Sequence, residues 1–146
     1  PNDLNAKIEP HFESTKRILT DFLGAGRVEC DMDHRIFFKI PNYMVGSTID
    51  NALIVIDEAQ LIQPMILKLI LERTGQNSRV VVLGDSSQIY ANEREANLRN
   101  GLSDALARFF NSDMSCKYAG IGYYQFDVDD VQRSDIVKSV IRAYRE

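Results

Sequence analysis

Two uninterrupted aliphatic runs, Leu53-Ile54-Val55-Ile56 and Val80-Val81-Val82-Leu83, stand out against helical periodicity elsewhere in the chain. Neither alternates polar with apolar positions, which is the pattern of a strand buried on both faces of a parallel sheet. Between them Pro64 opens a helix through Arg73, with Met65, Leu67, Leu69, Ile70 and Leu71 on or near one face and Gly75 just beyond its end. Strand, helix and strand within roughly 35 residues make a βαβ unit, whose crossover should be right-handed.

Upstream, Ile8, Phe12, Ile18, Leu19, Phe22 and Leu23 recur at helical spacing ahead of Gly24, and Pro10 breaks or begins that pattern, so the helix is placed from Pro10 onward. Two short β-prone runs, Arg27 to Cys30 and Arg35 to Ile40, flank the polar turn residues Asp31-Met32-Asp33-His34. Residues 43–48 read as a loop or short strand leading to a turn at Asp50-Asn51. Downstream come a helix over Asn97 to Phe110, a strand near Ile121 to Val128, and a last helix over Ser134 to Tyr144 striped by Ile136, Val137, Val140, Ile141 and Tyr144. This order predicts an α/β fold, a mostly parallel sheet layered by helices, as one domain over residues 1–146.

A chain of 146 residues with 45% hydrophobic and 26% charged positions has the composition of an ordinary globular protein, so a disordered or fibrous chain is excluded. No segment approaches the roughly 20 apolar residues needed to span a bilayer. The N-terminus has no signal-peptide pattern, and the expectation is a cytoplasmic location with no membrane partner. Cys30 and Cys116 lack metal-ligand spacing and read as reduced, packing cysteines. A net charge of -4 neither supports nor excludes nucleic-acid binding, and Arg94, Arg99 and Arg108 are too far apart to mark a strand-binding groove.

The chemistry sits at the ends of the two aliphatic runs, where Ile56 leads into Asp57-Glu58-Ala59-Gln60 and Leu83 into Gly84-Asp85-Ser86-Ser87-Gln88. Parallel strands place ligand chemistry at their carboxyl ends. Phosphoryl transfer from a nucleoside triphosphate needs magnesium on an acidic group, a residue that orients the attacking water, and groups that feel the γ-phosphate. Asp57 is placed to hold the magnesium shell and Glu58, one step further out, to orient the water. Gln88 has an amide that both donates and accepts, suited to sensing the γ-phosphate. Asp85 would fix its loop by accepting backbone amide bonds, and Gly84 would let the chain turn sharply off the strand. The competing reading is that each acidic residue merely caps the helix that follows.

These motifs resemble the DEAQ and GDxxQ signatures of superfamily 1 helicase-type ATPases, and more narrowly those of PhoH-like ATPases. Tyr43-Met44-Val45-Gly46-Ser47-Thr48 before Asn51-Ala52 is similar to that family's YMRGRT…NA segment. Asn100-Gly101-Leu102 with Asp104-Ala105 resembles its SGL helix start. Residues Asp130 to Val137 resemble DVVRHPLV, followed by the terminal Ala143-Tyr144. The resemblance covers nearly the whole chain. It implies a partial RecA-like P-loop NTPase core, ATP and magnesium as ligands, and an RNA or single-stranded nucleic-acid partner for a helicase-like activity. By the same resemblance Asp57 and Glu58 take the Walker B roles, Gln88 the coupling role, and Arg133 a phosphate-facing role in its own or a neighbouring subunit. The latter arrangement implies a homo-oligomeric ring.

Val45 and Ser47 stand where the family shows arginines and Ser134 where it shows a histidine, which puts polyanion contacts at those positions in doubt. No G-x-x-x-x-G-K-[ST] occurs, and Gly24-Ala25-Gly26-Arg27 lacks the spacing, the lysine and the hydroxyl of a phosphate cradle. The expectation is therefore the C-terminal portion of a longer ATPase, inactive alone. Loss of the family's central phosphate-loop strand would leave buried edges uncovered, and the fragment marginal, rearranged or completed by another chain. The rival expectation is a non-enzymatic protein-interaction module retaining a degenerate NTPase architecture.

Overall fold

The computed structural model describes residues 4–40, 44, 46, 48–86 and 99–145. Chain contacts divide it into two compact units, residues 1–53 with 69–79, and residues 54–68 with 80–146. In the first, helix α1 (Leu4–Leu23) runs through Pro10 and ends at Gly24, whose φ of 84° turns the chain while its N–H caps Thr20 O at 2.9 Å. The Gly24 carbonyl then accepts from Arg27 and Val28 and starts α2 (Ala25–Asp31). An Arg27–Asp31 ion pair one turn apart holds α2, and Val28 is buried. The Phe38 ring stacks on Phe12 of α1 at 4.7 Å, which brings the extended segment after the 33–35 turn onto that helix. Also in this unit, residues 48–52 lie along residues 73–79. Asp50 Oδ1 accepts the Gln76 N–H at 2.6 Å, and Ser78 Oγ bonds both Ile49 O and Ala52 N.

Strands β1 (Leu53–Ile56) and β2 (Arg79–Val82) are linked by α3 (Pro64–Leu71) and pair with each other. Arg79 N–H donates to Ala52 O and Leu83 N–H to Ile56 O, so the register advances in the same sense on both and the pair is parallel. In the second unit the chain leaves β1 through a single 3-10 turn, Ala59–Leu61. Helix α4 (Gly101–Phe109) packs on that turn. Asn100 caps α4 by accepting the Ser103 N–H at 2.9 Å, and the buried Gly101 donates to Ile62 O. Helix α5 (Asp135–Arg145) closes the chain. Ile56, Ala59, Leu67 and Phe110 form the apolar core of this unit, with Gln60 buried among them.

The predicted α/β architecture, a mostly parallel sheet layered by helices in a partial RecA-like core, is overturned. Among the described residues there are five α-helices and one sheet of two strands. Leu53 and Val55 are 66% and 56% exposed, so the aliphatic runs are not covered on both faces. The predicted strand at Arg27 to Cys30 lies within α2, where local i,i+4 bonds satisfy the backbone. Arg35 to Ile40 forms only an isolated bridge at Ile36, and Ile121 to Val128 joins no ladder. β propensity becomes a strand only where a neighbouring backbone accepts its hydrogen bonds along its length, and among the described residues those segments find no more than the single Met32–Ile36 bridge. Cys30 and Cys116, read as packing residues, are exposed and free.

Candidate functional site

The two motif-bearing strand ends meet at one buried side chain. Beyond β1, Asp57 and Glu58 are exposed, and Asp57 Oδ1 accepts the Glu58 N–H at 2.9 Å. Glu58 adopts φ 54° and ψ 41°, a left-handed conformation that costs energy for any residue with a Cβ and recurs where a site holds its backbone against local preference. That kink sends the chain into the 3-10 turn and puts Gln60 inside, 1% exposed. Gln60 Nε2 donates to Glu58 Oε2 at 2.5 Å, while its Oε1 accepts the Asp85 N–H at 3.0 Å. One amide thus ties the carboxylate beyond β1 to the backbone beyond β2. Two backbone bonds run beside it, Leu83 N–H to Ile56 O at 2.7 Å and Ala59 N–H to Leu83 O at 2.9 Å.

Gly84 has a role other than the sharp turn read from sequence. A Cβ there would lie 2.7 Å from Gln60 Oε1, 3.0 Å from Leu102 Cδ2 and 3.3 Å from Ala59 N, so its bare Cα leaves the room in which Gln60 and α4 pack. Asp85 contributes its N–H to the cluster. Asp57, Glu58, Gly84 and Asp85 are therefore together, whereas Gln88 lies outside the described residues. Arg133 is exposed ahead of α5, and among the described residues no hydrogen bond or ion pair joins it to Asp57, Glu58 or Asp85.

The residue that sequence reasoning missed is Gln60. Its signal was present, a polar side chain set in the apolar surround of Ala59, Leu61 and Ile62, but burial at that position depends on the Glu58 kink. Among the described residues no lysine or arginine pairs with Asp57 or Glu58, so their charges are left for solvent or a cation. No group of three acidic, histidine or cysteine side chains converges there or elsewhere among the described residues. The exposed Asp57 and Glu58 carboxylates are of the kind and number that could hold magnesium, which keeps much of its water and takes one or two carboxylates together with phosphate oxygens. An open depression of about 450 Å³ lined by Leu106, Ala107, Phe110, Met114 and Lys117 among others shares no residue with this cluster. No helix among the described residues is long and apolar enough to cross a membrane.

The cluster thus joins acidic and amide groups at the carboxyl ends of two adjacent parallel strands. The family model for PhoH-like protein matches residues 1–145, and the chain belongs to the PhoH-like family, within the P-loop NTPase superfamily. It is 34% identical over 145 residues to a PhoH-like protein of Bacillus subtilis, covering 99% of this chain and 43% of that protein. Against protein PhoH of Escherichia coli K12 it is 32% identical over 148 residues, covering 99% and 39%. A PhoH-like protein of Synechocystis is 28% identical over 145 residues. The chain spans about two fifths of the length of these curated relatives. No solved structure matches it.

Proposed function

We propose that this chain carries the acidic half of the ATP-hydrolysing site of a PhoH-like ATPase. The observation that supports this most is the Gln60 clip, which holds the Asp57-Glu58 end and the Gly84-Asp85 end as one cluster. Asp57 would hold magnesium, which when bound neutralises charge on the phosphates. Glu58 would orient and polarise the attacking water. Gly84 and Asp85 shape the loop that leads to Gln88, the residue proposed to respond to the γ-phosphate, and Arg133 would meet the developing phosphate charge in its own or a neighbouring subunit. ATP is then the direct ligand and RNA or single-stranded nucleic acid the remodelled partner. With no phosphate-cradling G-x-x-x-x-G-K-[ST] in its 146 residues, the isolated chain is expected to turn over no ATP.

The test is Glu58→Gln in the full-length protein, assayed for phosphate release and for binding of a fluorescent ATP analogue. Hydrolysis should fall at least about 100-fold while binding is retained, because the amide fills the same space without accepting a proton. Turnover unchanged from wild type would remove Glu58 from the mechanism.

A further inference from the structure

We infer that Gln60 is a positioning residue that fixes the Glu58 carboxylate and transmits to it any movement of the loop beyond β2. This rests on the role proposed for Glu58. Three observations on the structure carry it. Gln60 is 1% exposed, so its amide gains nothing from water and must be satisfied by protein. Both ends of that amide are engaged, the donor by Glu58 and the acceptor by the Asp85 N–H, so neither bond can be exchanged for the other by rotation. Gln60 Oε1 lies where a side chain on Gly84 would intrude, 2.7 Å from the position of a Cβ there, which places the clip against the first residue beyond β2 and Leu83.

The consequence is mechanical. A side chain on the left-handed Glu58 is exposed and would otherwise sample several rotamers, and the Gln60 donor selects one of them. When a ligand shifts Gly84 and Asp85, Oε1 follows the Asp85 N–H and Nε2 carries Glu58 with it. The water-orienting carboxylate is thereby set by the state of the neighbouring strand's loop, which lies three residues ahead of Gln88. A merely structural glutamine would need its acceptor to hold the loop, while a positioning glutamine needs its donor as well.

That difference supplies the test. Gln60→Glu keeps an acceptor for the Asp85 N–H and, once pH is high enough to ionise both carboxyls, replaces the donor to Glu58 by a like charge. Its kcat is therefore followed as a pH profile and read on the alkaline side, whereas Gln60→Met loses both bonds at nearly constant volume at every pH. In the full-length protein both variants should lower kcat about 10–100-fold, the range seen when a partner that orients a ligand-binding group is removed, with KM for ATP within about 3-fold of wild type. Retention of wild-type kcat in Gln60→Glu would overturn the inference. A second measurement needs no catalysis: in the full chain, Glu58→Ala should shift the Asp85 backbone amide resonance when Gln60 is present and leave it in place in the Gln60→Met background. An Asp85 resonance indifferent to Glu58→Ala in the wild-type background would sink the inference by itself. If instead the resonance responds but the full-length protein neither binds nor hydrolyses ATP, the ATPase reading fails and the Gln60 linkage stands.

Discussion

Gly84→Ala tests the packing of the site most directly. The added methyl would meet Gln60 Oε1 at 2.7 Å, Leu102 Cδ2 at 3.0 Å and Ala59 N at 3.3 Å. The first contact is closer than a carbon and an oxygen can approach, so something must move. Ala59 is fully buried and its N–H is bonded to Leu83 O, which leaves the backbone no freedom to retreat. Gln60 can swing only by giving up its bond to the Asp85 N–H. Overpacking of this kind costs about 1–3 kcal/mol, and loss of one buried neutral hydrogen bond adds about 1 kcal/mol, so destabilisation of about 2–4 kcal/mol is expected. Urea unfolding followed by far-ultraviolet circular dichroism measures it, with Gly26→Ala as the control. Gly26 lies in α2 with open space where a Cβ would go, and alanine there should leave stability unchanged or raise it by about 0.5–1 kcal/mol. If Gly84→Ala costs less than about 0.5 kcal/mol, the Gln60–Gly84 contact is not the tight one described.

Gly101→Ala should destabilise by at least about 2 kcal/mol in the same assay, because its Cβ would fall 2.8 Å from Ile62 O, a carbonyl held in place by the Gly101 N–H itself. Leu67→Ala should cost about 2–5 kcal/mol, since Leu67 is 2% exposed in the second unit's core, and an effect under about 1 kcal/mol would show that this core is not closed. The Asp113 carboxyl is held below its ordinary range by the Ser115 hydroxyl and then by the Ser115 N–H. A depressed folded value contributes stability above the unfolded carboxyl pKa and loses it as pH falls through the folded one, so Ser115→Ala should move the Asp113 titration upward, read by carbon NMR of its carboxyl.

The acidic ends of the aliphatic runs were legible because short-range rules set them. An unbroken aliphatic stretch followed by polar residues marks a candidate strand end, and β1, α3 and β2, which had each other to pair and pack with, formed close to where the pattern placed them. The chain reversal at Gly24 was likewise readable, since a positive φ acts within a turn, whereas the helix placed from Asn97 by periodicity begins at Gly101 behind the Asn100 cap, the start that the family resemblance marked. The extra strands were not readable. Arg27 to Cys30 satisfied its backbone locally in α2, and Ile121 to Val128 had a strand's composition without a strand beside it.

The amino-acid order alone therefore determined the family, the two acidic strand ends and the residues Asp57, Glu58, Gly84 and Asp85 that stand on them, because motif, period and turn chemistry are properties of neighbours in the chain. Tertiary structure alone decided how few strands pair, that Glu58 kinks, and that Gln60 turns inward to bridge positions 25 residues apart. Hydrogen bonds across that separation form only when both backbones are already adjacent, and no local preference encodes which glutamine will find the gap that Gly84 leaves.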